Sequence, residues 1–333
     1  MSDADPAPFD DVRALVRGAP GPDPEAADAV RSRLAEFGKP RDFGRLGDAA
    51  EWISAWQRRY PPRIENPTLA IFAGSHGIAT RGVTQSSTDQ TKAQMEALRG
   101  GTAPLSAIAT VAGANIRAFD LALDQPTPAI DEGEAMSERD CAATMAFGFE
   151  AITDEPDLLA LGVAGAGVGT AAAAVACALY GGAPEYWVRP GPGTPSSLTE
   201  ARTDIVRKAL ALHRGHLDDP LEALRCLGGR ELAACAGAIV AARRQSIPVL
   251  LDGFATTIAA GVVHALDPKA IEHVMAAHVT RRPAHEAALE RIGLEPLMHF
   301  DFQTGGGLGS TAAIGLLKAA CAPFIAQPVA RDG

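Results

Sequence analysis

Apolar positions along this chain change their period near residue 66. Residues 10–17 and 24–37 repeat at helical spacing on either side of a Pro- and Gly-rich stretch, 18–24. Residues 46–59 continue that period, with Trp52 and Trp56 four apart on one face, until Tyr60-Pro61-Pro62 ends it. Residues up to about 66 therefore read as a helical arm. Six short runs follow, at 68–73, 116–121, 157–161, 247–252, 274–278 and 297–302, apolar on both faces. Helical stretches at 91–98, 137–152, 170–179 and 202–213 separate most of them, and Ser137 ahead of Glu138 and Asp140 is the expected N-cap of one. Strands apolar on both faces that alternate with helices predict an α/β fold, a mostly parallel sheet covered on both sides. An Ala- and Leu-rich helix at 310–322 is expected to pack back on the N-terminal arm.

Composition narrows the partners. A chain of 333 residues buries a sizeable core, enough for one large domain and a smaller helical piece. Its formal net charge of -10 argues against a nucleic-acid partner, which calls for clustered Lys and Arg. The five cysteines, Cys141, Cys177, Cys226, Cys235 and Cys321, form no CxxC pair, a pattern of reduced thiols in a cytoplasmic protein without a metal site. Residues 1–10 are acidic and Pro-rich, unlike a signal peptide, and the apolar stretch 171–179 is too short to span a bilayer. No membrane partner is expected.

In an open parallel sheet, ligands bind beyond the carboxyl ends of the strands. Here those ends carry Gly74-Ser75-His76-Gly77, then Gly162 through Thr170, then Asp252-Gly253, His278, and finally Gly305-Gly306-Gly307-Leu308-Gly309-Ser310. Glycines ahead of a helix let backbone N–H groups approach a phosphate. Either loop alone is more often turn geometry than a phosphate cradle, and a lone histidine is usually structural. Their coincidence in one crevice points to a phosphate-containing small molecule.

The order of motifs resembles one family over nearly the whole chain. Ile71 through Gly77, Gly82-Val83-Thr84, Thr91-Lys92-Ala93-Gln94-Met95, the run from Ser137 to Gly148, Leu251-Asp252-Gly253, His278 through His285 and Gly305 through Gly309 are similar to the nicotinate-nucleotide:dimethylbenzimidazole phosphoribosyltransferases. The resemblance implies a homodimer with a Rossmann-like sheet at 67–309 and a small helical domain made of 1–66 with 310–333. It also implies transfer of a phosphoribosyl group from nicotinate mononucleotide to a benzimidazole, giving α-ribazole phosphate and nicotinate, with no cofactor. Phosphate and ribose would lie at Gly165, Gly167, Gly169, Thr170, Gly191, Gly193, Gly305, Gly306, Gly307 and Gly309, and the aromatic base at Ser75, His76, Gln94, Met95 and His278.

Set against the family pattern, several polar positions differ. Gly306 stands where the glutamate proposed as general base is expected, and Val163 replaces the glutamate of the middle loop. Val168-Gly169 replace an Asn-Thr pair, Arg282 a third glutamate, Pro192 a threonine, and Ser75 an Asp or Asn. A general base contributes about 100- to 10,000-fold, so its loss slows transfer without forbidding it. Asp301, read as lying on the last strand, is a candidate substitute base if its side chain points to the crevice and otherwise an acid at a strand edge or bonded to backbone; His76, His278 and His285 are other candidates. Arg281 and Arg282 are candidate anion ligands, or else a solvated loop pair. Two readings stay open: a slow or altered transferase, and a non-catalytic paralogue that binds a nucleotide or base or pairs with an active homologue.

Overall fold

Among the residues described by the computed structural model, 7–37 and 40–325, six strands form one sheet. They are β1 (Pro67–Ala73), β2 (Asn115–Asp120), β3 (Leu158–Ala164), β4 (Val249–Leu251), β5 (Val274–His278) and β6 (Pro296–Met298). All pair in parallel, in the order β2-β1-β3-β4-β5-β6. Helices α1 (Pro8–Arg17), α2 (Pro24–Glu36) and α3 (Gly44–Gln57) precede the sheet. Helices α4 (Thr88–Arg99) and α5 (Pro104–Ala112) join β1 to β2, and α6 (Glu138–Phe147) leads to β3. Between β3 and β4 run α7 (Val168–Tyr180), α8 (Pro184–Trp187), α9 (Ser196–Leu212), α10 (Pro220–Leu227) and α11 (Arg230–Arg244). Helices α12 (Gly253–Leu266), α13 (Pro283–Arg291) and α14 (Leu308–Ile325) complete the order.

Alternate residues of the central strands feed two separate cores. Ala70 and Phe72 of β1, with Leu159 and Leu161 of β3, pack beneath α1, α6, α7 and α9 to α13. Leu69, Ile71, Leu158 and Ala160 point the other way, beneath α2 to α5 and α14. This period of two, buried on both sides, is why these strands read as continuous apolar runs. Each fully buried Leu, Ile or Phe there contributes about 1.5–3 kcal/mol.

Two boundaries among those that differ from the sequence-based expectation have a clear cause. The helix capped by Ser137, whose side chain accepts from the Asp140 N–H, stops at Phe147 and tightens into a 3-10 turn, Gly148–Ile152. Gly148 lies against the α11 backbone at Ala234, where a Cβ would collide. The last strand is only Pro296–Met298, because the chain leaves the sheet after the His278–Met298 pair. The longest apolar helix is α14, with mean hydropathy 1.5 over 18 residues, enough by length and composition to cross a membrane. Half of it is buried inside the fold. It packs on β1, β3 and β5 as well as on α3 and α5, so it serves the sheet and the N-terminal helices together.

His273, just ahead of β5, is fully buried. Its Nε2–H donates to the Ile239 carbonyl at 2.9 Å and its ring meets the edge of Trp56. Burial, helped by the Arg243 charge, pushes its pKa from 6.5 down to about 3. Below 6.5 the unfolded chain takes up a proton that the folded one refuses, so this group's contribution is complete above 6.5 and declines towards 3. Within that window it costs about 1.4 kcal/mol per pH unit. Denaturant melts of His273→Gln should therefore show a smaller stability loss between neutral and acid pH than the unaltered protein. An identical loss in both would mean that His273 does not stay neutral in the fold.

Candidate active site

Strand order reverses between β1 and β3, and a cleft of about 360 Å³ opens at the carboxyl ends of the strands there. Four segments wall it: residues 83–94 after β1, 163–170 at the end of β3 and beyond, the start of α12, and residues 303–306 before α14. Two side chains from α9 and from the N-cap of α13, Arg202 and Arg282, complete the wall.

Close backbone contacts hold these loops together. Gly165 rests on the Gly74 carbonyl with φ +157, and Gly305 rests on the Asp252 carbonyl and on Gly253. Any side chain at either position would collide with backbone that has no room to move. Gly167 caps α7 with φ +98, and no side chain caps that helix. The first N–H groups of α7 therefore face the cleft without a side-chain partner, the arrangement that receives an anion.

Behind the loops sit two buried histidine–carboxylate pairs. His76 Nε2 meets Glu231 Oε1 at 2.9 Å beneath the 165 loop. His278 Nε2 meets Asp252 Oδ1 at 2.8 Å beneath the last loop. Asp252 Oδ2 also accepts from the Ser310 N–H at 2.8 Å and the Ser310 hydroxyl at 3.0 Å, which fixes the start of α14 to the end of β4. His285 Nδ1 accepts from the Thr280 N–H at 3.0 Å, so its proton lies on Nε2, facing Thr257 Oγ1. Burial and the neighbouring His278 and Arg282 push its pKa down to about 3. His285 thus serves to hold Thr280, which lines the cleft.

The electrostatics of the wall are one-sided. Among the described residues lining it, Arg202 and Arg282 carry charge and no aspartate, glutamate or histidine does. Arg202 Nε donates to the Val83 carbonyl at 2.7 Å. Arg282 Nη2 donates to the carbonyls of Trp187 and Gly169 at 2.9 and 3.2 Å, and its guanidinium lies 4.0 Å over the Phe254 ring. Its Nε is buried without a partner. Burial lowers the pKa of both arginines, and Arg202 lowers that of Arg282 further. Each still stays protonated near neutrality.

The structure sorts the residues singled out in the sequence. Gly165, Gly167, Gly169, Thr170, Gly305, Gly306, Gln94 and Arg282 line the cleft. Gly307 and Gly309 lie below it, against Leu69 and the His278 ring, Gly191 lies beside it next to Gln303, and Gly193 is not among the lining residues. Ser75, His76 and His278 are buried behind the wall rather than presented to a base, and Met95 is a core residue. Arg281 is exposed and parts from Arg282, pointing 3.9 Å from Asp301. Asp301 does not reach the cleft: it sits beyond β6 in a loop, at φ +54, with its side chain 87% exposed. Arg202, Glu231 and the locking role of Asp252 were not foreseen. The Gly228-Gly229 pair ahead of Glu231 was the available signal for one of them.

Adjacent glycines of the last loop make opposite demands. A Cβ on Gly305 would enter the Asp252 carbonyl, whereas one on Gly306 meets nothing within 4 Å. Gly305→Ala should lower stability by about 1–3 kcal/mol, and Gly306→Ala should leave the melting temperature nearly unchanged. Equal melting temperatures for the two variants would contradict this loop geometry.

Comparison with known proteins gives one answer. The profile of a family described as phosphoribosyltransferase matches residues 19–327. A nicotinate-nucleotide–dimethylbenzimidazole phosphoribosyltransferase of Sinorhizobium medicae is 47% identical over 316 residues, 95% of this chain and 93% of the relative. The protein of the same name from Brucella canis is 46% identical over 314 residues, 94% of this chain and 93% of the relative. The crystal structure of CobT from Thermus thermophilus superposes with a TM-score of 0.82 at 30% identity, covering 89% of this chain and 95% of that one. These matches, together with the parallel sheet and the cleft at its switch point, establish that the chain belongs to the nicotinate-nucleotide–dimethylbenzimidazole phosphoribosyltransferase family.

Proposed function

We propose that this protein transfers the 5-phosphoribosyl group of nicotinate mononucleotide to the ring nitrogen of a benzimidazole, releasing nicotinate in the assembly of the lower ligand of cobalamin. The observation that carries the reading is the cationic cleft, where Arg202, Arg282 and the uncapped start of α7 converge at the strand ends of a family fold. The donor brings a phosphate and a carboxylate. Backbone N–H groups at Gly167 to Gly169 and the Arg202 guanidinium supply matching charge-assisted hydrogen bonds. Val83, Val163 and Phe254 offer an apolar wall for the aromatic rings. Holding donor and acceptor together in one cleft supplies the positioning part of the rate.

The protein is read as a cytoplasmic homodimer, with residues 1–66 and 310–333 as a small domain. Residues 1–6, 38–39 and 326–333 of that domain lie outside the described residues. Support for the small domain comes from α2 and α3 packing on each other and α3 on α14. Support for a dimer comes from Ile108 and Val111 on α5 and Leu316 on the adjoining α14, apolar and exposed. Five buried free thiols suit a reducing compartment.

Two measurements on the purified chain test the activity. Calorimetry should show nicotinate mononucleotide binding, weakened by salt and by Arg202→Ala, and addition of dimethylbenzimidazole should release nicotinate. Binding without release from any azole would favour a non-catalytic binding protein, and no binding would reject the donor.

A further inference from the structure

Transfer to a neutral azole frees a proton. As the acceptor nitrogen bonds to ribose C1′, the hydrogen on the other ring nitrogen must leave, and a base normally takes it. The described wall of this cleft offers none. Its neighbouring acids are engaged elsewhere: Glu231 with His76 behind the 165 loop, and Asp252 with His278 and Ser310 behind the last loop, both fully buried. His285 is held between Thr257 and Thr280, and Asp301 stands in solvent beside Arg281. The charges that do face the cleft are Arg202 from α9 and Arg282 at the start of α13, both positive.

An ionised azole needs no base. Its nitrogen lone pair forms the bond to C1′, and the bond from C1′ to the nicotinate nitrogen breaks. That electron pair returns to the pyridine ring, and no proton passes to the protein. We propose that this cleft selects its acceptor by acidity, taking an azole that is ionised at the ring nitrogen near neutral pH and holding it as an anion beside Arg282. The inference rests on the phosphoribosyl-transfer reading above and deepens it by naming the acceptor class. A positive group within about 4–6 Å raises the ionised fraction of such a ligand roughly 10- to 1,000-fold. Acidity and reactivity oppose each other only in part. A tenfold gain in acidity gives up to tenfold more anion, while nucleophilicity falls by less, as it does for thiolates.

Gly306 supplies the decisive contrast. It lines the cleft, a side chain there meets nothing within 4 Å, and its backbone is not in the left-handed region, so Gly306→Glu places a carboxylate in the wall without strain. Gly306→Gln is the uncharged control.

The test is nicotinate release from nicotinate mononucleotide by the full chain, against dimethylbenzimidazole and benzimidazoles made more acidic by electron-withdrawing ring substituents, across pH. For the unaltered protein, kcat/KM should climb about tenfold per pH unit below each acceptor's own pKa and level off above it. The acidic azoles should exceed dimethylbenzimidazole by about tenfold or more at neutral pH. Gly306→Glu should raise the dimethylbenzimidazole rate, by up to about 100- to 10,000-fold, and flatten its pH dependence, while Gly306→Gln should do neither. A flat pH profile with dimethylbenzimidazole preferred in the unaltered protein would overturn the acceptor assignment and leave the transferase reading intact. Failure of every acceptor, with Gly306→Glu as with the unaltered protein, would overturn both.

Discussion

The architecture of the cleft depends on one buried carboxylate. Asp252 ends β4, is fully enclosed, and accepts hydrogen bonds from His278 at the end of β5 and from the backbone and hydroxyl of Ser310 at the start of α14. A buried carboxylate left without such partners would cost several kcal/mol, so the three must stay together. That requirement joins two strand ends to the last glycine loop and sets where residues 303–306 lie. The His76–Glu231 pair does the same for the loop after β3. Charged groups usually associated with catalysis are here the fasteners of the site, and the surfaces they hold in place are mostly backbone.

What those surfaces present is positive and rich in N–H groups. The uncapped turn of α7, Arg202 and Arg282 give the cleft a field that favours anions, and no carboxylate in the described wall offsets it. Phosphate and carboxylate on the donor are met by that field directly. The proton released by a neutral acceptor is not, since positive charge disfavours any group that would take it up. Binding of the donor and the choice of acceptor therefore follow from the same charge distribution.

Strands buried on both faces were legible in the sequence, β1 and β3 close to their apolar runs and β5 at its own, and the half-buried edge strand β2 was read from its apolar Ile, Ala and Phe, because the signal is local. Helices α11 and α12 left no periodic signal. Nearly every residue of either is buried, since each lies between other helices, and a helix without a polar face has no pattern to read. The glycine loops could be placed at the strand ends, but which glycines touch could not. Gly305 meets Asp252, and Gly165 meets Gly74, only because β4, β5, β3 and β1 stand side by side. His278 and Asp252 are 26 residues apart and His76 and Glu231 are 155 apart, so their pairing belongs to strand order rather than to spacing. Asp301 was misplaced because a strand was read through residue 302, where the chain has already turned out of the sheet. Arg202 was overlooked because a single arginine on a helix carries no motif.

A crystal structure of the protein with nicotinate mononucleotide is the most direct test of the cationic cleft as the donor site. The account predicts the phosphate within hydrogen-bond distance, about 2.7–3.2 Å, of the N–H groups at the start of α7 and of Arg202 or Arg282. A nucleotide seated elsewhere, with both arginines and the first turn of α7 facing only solvent, would contradict it.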